Sequence, residues 1–421
     1  MLIEFSVENF GCFRDRQTIS MVASKDTTER DENVFRPGEN DSELLHSSVI
    51  YGANASGKST LISAMFFMKN MVLHSVKKGN DESEIDNLDP FKFSEETLSQ
   101  PSEFEILFLH VGIKYQYGFS ATSRRIHAEW LIAFPEGRAQ RWFDRQFDSE
   151  TGSELWHFGS KFLGQKAVIK DSTRPNALFL STGNMLNHAQ LKPLARWFHT
   201  HFKILTNSNL NPRYSIEMCL KQDRREMIQE FLNKAGIGVE TVHVEKVTVD
   251  ENALASVEDE NGRELLGNFL GEEFVDLAFN YTVDANGMKA SIDFLKESAG
   301  TKKMFSFAGP LIDVLNNGRV LIIDELNVHL HPLLTEYLVK LFKSKNNKNN
   351  AQLLFTTHDT FLLNANLFRR DQVWITEKNP ATLGSTLIPL TDFHPRKTES
   401  IEKGYLRGRY GGVPYLAESV D

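Results

Sequence analysis

The eight residues Gly52-Ala-Asn-Ala-Ser-Gly-Lys-Ser59 fit the pattern G-x-x-x-x-G-K-[ST], and the residues on either side decide what that pattern can become. The largely apolar run Ser48-Val-Ile-Tyr51 reads as a buried strand ending at the first glycine, and Thr60-Leu-Ile-Ser-Ala-Met-Phe-Phe-Met68 reads as a helix. Strand, glycine loop and helix in that order demand an α/β layout. The loop amides and the positive end of the helix then converge on one point and form an anion cradle. The expected contacts of a nucleoside triphosphate are Gly52, Asn54, Ala55, Ser56, Gly57, Lys58, Ser59 and Thr60. Lys58 is expected to reach the terminal phosphates and Ser59 to coordinate Mg²⁺. ATP and GTP both suit such a cradle. The bland alternative, a glycine-rich turn before an unrelated helix, leaves the flanking strand and helix unexplained.

The 421 residues, 41% of them apolar, suffice for a large core and for two or three domains or one head with an inserted lobe. No run approaches the ~18 apolar residues of a membrane helix. The opening Met1-Leu-Ile-Glu-Phe-Ser-Val-Glu-Asn-Phe10 lacks a basic start and an apolar segment, so neither export nor a membrane span is expected. Cys12 and Cys219 have no metal-ligand spacing and suit a reducing cytoplasm as small apolar fillers. A formal charge of −9 argues against a surface that attracts nucleic acid as a whole. The local basic groups Arg396-Lys397, Lys403, Arg407, Arg409 and Arg224-Arg225 read as solvated faces or internal ion pairs.

Two short strands are expected before the loop, one over Leu2 to Phe10 and one over Gln17 to Val22. Aromatic-rich runs at 103–111, 114–119 and 126–134 predict an antiparallel meander whose rings pack a sheet. The period turns helical between Asn176 and Lys234, with Gly236 as a stop, and strand-like again over 239–249 and 274–292. Lys343-Ser-Lys-Asn-Asn-Lys-Asn-Asn350 reads as an exposed loop. Gly318-Arg-Val-Leu-Ile-Ile-Asp-Glu325 is a buried strand that ends in two acids. Asp324 is expected to hold the Mg²⁺ shell and Glu325 to polarise the attacking water. Gln352-Leu-Leu-Phe-Thr-Thr-His-Asp359 is a further β run. There His358 is either structural or a neutral imidazole donating to the γ-phosphate. Glu297-Ser-Ala-Gly-Thr301 enters a helix over 302–315; Ser298 and the amides around Gly300 could bind an anion or merely cap the helix.

A phosphate loop, a Ser-x-Gly helix start, an acid-ended strand and a strand-terminal histidine, in that order, resemble the ABC-type ATPase heads of the SMC, double-strand-break repair and OLD proteins. Within that group the resemblance is closest to the ATPase components of Rlo- and PARIS-type phage-defence systems. It runs nearly end to end. It rests on 51–59, Asn176-Ala-Leu-Phe-Leu-Ser181, Glu297-Ser-Ala-Gly-Thr301, Asp324-Glu-Leu326 with Leu330-His-Pro332, Thr356-Thr-His-Asp359 and Tyr405-Leu-Arg-Gly-Arg-Tyr-Gly411.

The resemblance implies an α/β ABC-type head with a mixed sheet, an antiparallel meander and an inserted helical lobe. It divides the chain into an N-terminal half over 1–160, a lobe over 161–240 and a C-terminal half over 241–421. It also implies that Lys58 and Ser59 are the Walker A contacts, Asp324 and Glu325 the Walker B pair, Ser298 with Gly300 the signature turn and His358 the switch histidine. The catalytic set is then Glu325, His358 and Lys58, with ATP and Mg²⁺ as cofactors. The signature turn of one subunit completes the site of its neighbour, so a homo-oligomer of heads is implied. Two departures concern the hydrolysis rate: Ala299 stands where the family commonly has an acid, and Asn327 where it commonly has an aspartate. Gln100 and Gln116 are the candidates for a Q-loop glutamine. His329-Leu-His331 is read as shaping the loop after Asp324 and Glu325 rather than as a zinc site.

Residues 359–421 are too few for a second catalytic domain of ~100 residues, so any effector is expected on a separate, nuclease-like polypeptide. The expected function is an ATPase sensor or scaffold of antiphage defence that controls that effector. The alternative is a DNA-repair or OLD-like ATPase acting on DNA with a nuclease partner. A long coiled-coil arm is not expected, because the helical region is short and irregular.

Overall fold

The computed structural model describes all residues except 27–29, 40, 78–79, 81–82, 207–209, 249–272, 284–287, 344–346, 365–366, 397–398 and 415–421. Parts of the 239–249 and 274–292 runs and of the Lys343–Asn350 loop, along with Lys397, therefore lie outside the described residues. Two compact units divide the chain. The first comprises Met1–Asn207, Val314–Val328 and Thr335–Asp421, and the second Ser208–Asp313 and His329–Leu334.

Two large sheets, beside the short pair Val34–Phe35 and Leu44–Leu45, frame the first unit. The six-stranded sheet runs Phe202–Leu205, Val320–Ile323, Gln352–Thr356, Ser47–Gly52, Val373–Lys378 and Ser385–Pro389. All its neighbours are parallel except the last pair. Val320–Ile323, Gln352–Thr356 and Ser47–Gly52 are buried along their whole length, as both-sided burial of a parallel sheet requires. The seven-stranded sheet is antiparallel throughout, in the order Ser153–Phe158, Gln140–Asp148, Arg125–Phe134, Ile113–Thr122, Ser102–His110, Leu2–Glu8 and Gln17–Ser20. The mixed sheet and the meander expected from the sequence are both present. Two meander strands, 140–148 and 153–158, go beyond the expected three. Their alternation sets charged residues against Trp142, Phe143 and Trp156, so no apolar run announces them.

The helix Lys58–His74 touches both the strand Leu2–Glu8 and the strand Ser47–Gly52. Leu61, Ile62, Ala64, Met65, Phe67, Met68, Met71 and Val72 are buried around most of its circumference, so it joins the cores of the two sheets. Meander aromatics do pack this core: Phe104 and Phe119 lie 5.2 Å apart and Phe67 meets Phe104 at 4.9 Å. The helix Leu191–Thr200 seals the core through Trp197, which stacks on Phe108 at 4.2 Å and on Phe202 at 5.3 Å. These aromatic contacts make the helices of 166–200 part of the first unit. The second unit begins at Ser208.

One buried carboxylate ties the meander to the Asn176–Ser181 motif. Glu129 is fully buried and accepts from the amides of Phe179 at 2.6 Å and Leu180 at 3.0 Å and from the Tyr117 hydroxyl at 3.0 Å. It thus occupies the amino end of the helix Phe179–Met185, where a negative charge is favoured. Burial raises its pKa, opposed by Arg145 and the two amides. Glu129→Ala leaves those buried donors unpaired, while Arg145 keeps Glu154 at 2.7 Å, and should cost about 1–3 kcal/mol of unfolding free energy in urea melts.

The second unit holds the helices Arg213–Cys219 and Gln222–Lys234, the three-stranded antiparallel sheet Thr241–Thr248, Glu273–Val283 and Met288–Asp293, and the start of the helix Ala299–Asn317. Gly236 ends the helix Gln222–Lys234 with φ of 75°, and the amides of Gly236 and Ile237 return to Asn233 and Leu232. Pro310 lies inside Ala299–Asn317, and just before it the ladder is bridged by a side chain: the Ser215 hydroxyl donates to the Phe305 carbonyl at 2.6 Å and accepts from the Gly309 amide at 3.0 Å.

Candidate functional site

Parallel register places the ends of three neighbouring strands together. Thr356 stands beside Ile50 on one flank of the loop strand, and Thr376 beside Gly52 on the other. Gly52 has no room for a Cβ, which would run into Thr376 Oγ1 and Ser56 Oγ. Both hydroxyls are used: Ser56 Oγ and Thr376 Oγ1 are 2.6 Å apart, and Thr376 Oγ1 donates to the Tyr51 carbonyl at 3.1 Å. The loop then turns through Ala55 and Gly57, both at positive φ (59° and 115°), and enters the helix at Lys58. A Cβ on Gly57 would lie 2.9 Å from Cys12 Sγ and 3.0 Å from the Phe13 ring, so the turn Gly11–Phe13 walls that side. Asn54, Ala55 and Ser59 remain exposed.

Thr376 had no place in the sequence reading, although it holds the loop's geometry. Only the register reveals it, because 320 residues separate it from Ser56. Thr376→Val keeps the shape and removes the hydroxyl, leaving the buried Ser56 Oγ and Tyr51 carbonyl short of a partner. A loss of about 1–3 kcal/mol in denaturant unfolding is expected, with weaker nucleotide binding.

Lys58 is 5% exposed, and its ammonium donates to the carbonyls of Gly52 at 2.8 Å and Ala53 at 2.9 Å. Burial pulls its pKa down to about 8, while Glu325 and Asp324 act in the opposite direction. His358 keeps an exposed part, yet partial desolvation of its ring lowers its pKa, followed by the charge of Lys58, with Glu325 and Asp324 opposing. Lys58, Asp324, Glu325 and His358 therefore share one electrostatic site at the carboxyl edge of the parallel sheet.

The acid pair is positioned through threonines. Ile323 pairs with Phe355, so Asp324 falls beside Thr356. Thr356 Oγ1 donates to Asp324 Oδ1 and accepts from the Glu325 amide, both at 2.7 Å. Glu325 has φ of 53°, and the Leu326 amide donates to the Thr356 carbonyl at 3.1 Å. Such a backbone conformation is uncommon outside glycine and is held here by the two hydrogen bonds to one residue. Thr357 continues the pattern. Its hydroxyl donates to Asn327 Oδ1 at 2.9 Å and accepts from the Asp359 amide at 3.0 Å, and its amide donates to the Ile50 carbonyl at 3.2 Å. Asn327 is thus tied to the segment that carries His358.

Ser298 and Gly300 belong to the second unit. Ser298 is exposed, accepts from the Thr301 amide at 3.1 Å and lies 2.9 Å from Thr301 Oγ1, which makes it the cap of the helix Ala299–Asn317. A Cβ on Gly300 would stand 3.3 Å from the His329 carbonyl. His331 Nδ1 accepts from the Leu333 amide at 3.3 Å and so opens the helix Pro332–Lys343. Gln100 donates to Glu96 at 3.1 Å and Gln116 to Glu105 at 2.8 Å. Cys219 is buried, and burial pushes its thiol up to about 12.

The Tyr405–Gly411 motif closes under the loop. The Tyr405 hydroxyl donates to the Gly412 carbonyl at 2.9 Å, and the rings of Tyr405 and Tyr51 are 5.6 Å apart. Gly412 has φ of 68°, and a Cβ there would lie 2.6 Å from Ile375 and 3.3 Å from Gly52 Cα. Tyr410 packs on Gly404, and Glu399 accepts from both Tyr410 and Arg409. Nothing in the composition of this tail shows that it supports the first glycine of the loop.

The donor set suits a magnesium triphosphate. Glycine turns without room for Cβ atoms, a buried ammonium, an exposed hydroxyl on the first helical turn and a carboxylate facing the same site are hard-oxygen and phosphate chemistry. Lys58 could meet the phosphates; Ser59 and Asp324 could hold the metal.

A family model described as "AAA domain, putative AbiEii toxin, Type IV TA system" matches residues 47–364. Among solved structures, the SMC head domain from Thermotoga maritima is 13% identical, with 92% of this chain and 98% of that one covered and a TM-score of 0.40. An SMC head bound to the C-terminal winged-helix domain of ScpA is 12% identical, covers 96% and 99%, and has a TM-score of 0.46. An SMC head with an extended coiled coil, bound to the C-terminal domain of ScpA derived from Pyrococcus furiosus, is 11% identical, covers 97% and 98%, and has a TM-score of 0.42. Comparison with curated proteins gives no match. Among the described residues, no helix is long and apolar enough to cross a membrane.

Proposed function

The chain belongs to this AAA-domain family, and on that premise we propose that it is a Mg²⁺-dependent ATPase whose nucleotide state controls the association of its heads and, through it, a separate effector of antiphage defence. The observation that carries the reading is the electrostatic convergence of Lys58, Asp324, Glu325 and His358 on one sheet edge. Bound Mg²⁺ supplies charge neutralisation across the phosphate oxygens. Lys58 binds the terminal phosphates in its protonated form, and Ser59 and Asp324 hold the metal. Glu325, fixed at positive φ by Thr356, orients and deprotonates the attacking water. His358, neutral at pH 7 because its pKa is lowered, keeps one N–H to donate to the γ-phosphate.

Ser298 and Gly300 complete the site of a neighbouring copy in this reading, which is why a homo-oligomer is proposed. Asn327 in place of an acid removes a negative charge from the loop next to Glu325 and is consistent with slow turnover. Single-turnover hydrolysis of ATP tests the reading directly. Turnover that needs Mg²⁺ and stops on chelation is expected; a purified protein that binds no nucleotide at all rules it out.

A further inference from the structure

The edge of the parallel sheet opposite the phosphate loop gathers a second set of charges. The loop follows the carboxyl end of Ser47–Gly52, whereas His201 and Arg319 immediately precede the paired strands Phe202–Leu205 and Val320–Ile323 and so emerge at the amino edge. The Val320 amide donates to the His201 carbonyl at 2.8 Å, which holds these two residues side by side. The helix Leu191–Thr200 leads into the same place. Its buried face is Leu191, Leu194, Ala195, Trp197 and Phe198, while Lys192, Arg196 and Thr200 fall at i, i+4 and i+8 on another stripe. His110 ends a meander strand with its ring 5.5 Å from that of His201. These side chains line a concavity of about 530 Å³ whose walls contain no aspartate or glutamate.

Cations near a helix carboxyl end complement its dipole, and that accounts for Arg196. It does not account for His110 and Arg319, which arrive from two other chain segments. Lys192 and Arg196 are exposed and form no ion pair among the described residues. The crowding is felt by the imidazoles: burial, His110 and further neighbouring cations hold His201 down to about 4, and burial, the amino terminus and Arg196 lower His110. Lys192 and Arg196 on the helix and Arg319 before its strand set three cations around one concavity, and an anion placed among them is favoured.

We propose that this concavity binds the phosphate of a phosphate-bearing ligand, at a site separate from the Lys58 loop, with Arg196, Arg319 and Lys192 as the contacts and the two histidines as donors. The forks of Arg196 and Arg319 match phosphate oxygens in pairs, and a pocket of this size admits one nucleotide unit. The phosphate can come from a free polyphosphate or from a nucleic-acid backbone. The protein's net charge of −9 does not oppose either, since the surface here is locally basic. The inference does not depend on the ATPase reading.

The test uses the full chain and its Arg196→Glu and Arg319→Gln variants, with melting temperature as the folding control. Fluorescence anisotropy with a labelled single strand of about 20 nucleotides, read between roughly 50 and 200 mM salt, probes the backbone source. Calorimetric titration with inorganic pyrophosphate probes the free source. At least about tenfold weaker DNA binding and a salt slope smaller by about 1 in either variant, at unchanged melting temperature, assigns a nucleic-acid backbone. Absence of DNA binding together with a second pyrophosphate equivalent that Arg196→Glu removes assigns a free phosphate ligand. Neither probe responding to either variant overturns the site. A lower melting temperature in Arg196→Glu with binding intact also overturns it, since that is the outcome of a purely helix-capping role.

Discussion

Lys58→Ala is expected to weaken ATP binding at least about 100-fold, since it removes the one buried cation of the loop and its charge-assisted contacts. The same residue sets a pH dependence with a definite sign. Its pKa is about 8 in the nucleotide-free protein, and bound triphosphate raises it. Below pH 8 the ammonium is already protonated and affinity is flat. Above pH 8, binding must take up a proton, so affinity falls by up to about tenfold per pH unit until the raised pKa is reached. Stability of the nucleotide-free protein moves the other way in that window. The unfolded lysine, with its pKa near 10.4, binds more protons than the folded one, so this group destabilises the fold less as pH rises from 8 towards 10.4. Equilibrium titrations of a fluorescent ATP analogue at pH 7, 8 and 9 measure the effect. An Lys58→Ala protein that binds like the parent, or an affinity that rises with pH, removes Lys58 from the site.

Glu325→Gln is expected to bind ATP as the parent does and to hydrolyse it about 10²–10⁴-fold more slowly, because the carboxamide keeps the hydrogen-bonding shape and cannot take a proton. The backbone at Glu325 is held by the hydrogen bond its amide donates to the Thr356 hydroxyl, which the substitution leaves in place. With hydrolysis blocked, ATP and Mg²⁺ should shift the variant to a larger species in sedimentation, and the protein that co-sediments with it is the candidate effector. Hydrolysis at the parental rate shows that another group activates the water. Slow hydrolysis without any change in sedimentation keeps Glu325 as the base and removes the link between nucleotide and head association.

Local chemistry carried much of the architecture. The loop strand and helix, the three aromatic meander strands and the acid-ended strand have the periodicities and end residues that short-range physics imposes, and they stand close to where the pattern puts them. The polar meander strands 140–148 and 153–158 and the four-residue strand Phe202–Leu205 were not legible. Their pairing is decided by neighbours, which lets charged or very short segments serve as strands.

The candidate residues Lys58, Asp324, Glu325 and His358 can be named from the sequence by their chemical types and their positions at strand and loop ends. What the sequence could not supply is the support around them. Thr356 bridges Asp324 and Glu325, Thr376 locks Ser56, and Tyr405 with Gly412 underpins Gly52 across more than 350 residues of chain. Hydroxyls, glycines and tyrosines occur everywhere, so nothing local marks these. Only parallel register, which sets residues far apart in the chain side by side at one strand edge, gives them partners. The sequence by itself determined that a glycine loop between strand and helix and an acid pair at a strand end exist. The tertiary structure decided that they share one field, because the charge of each acts on the others only at the short range that folding creates.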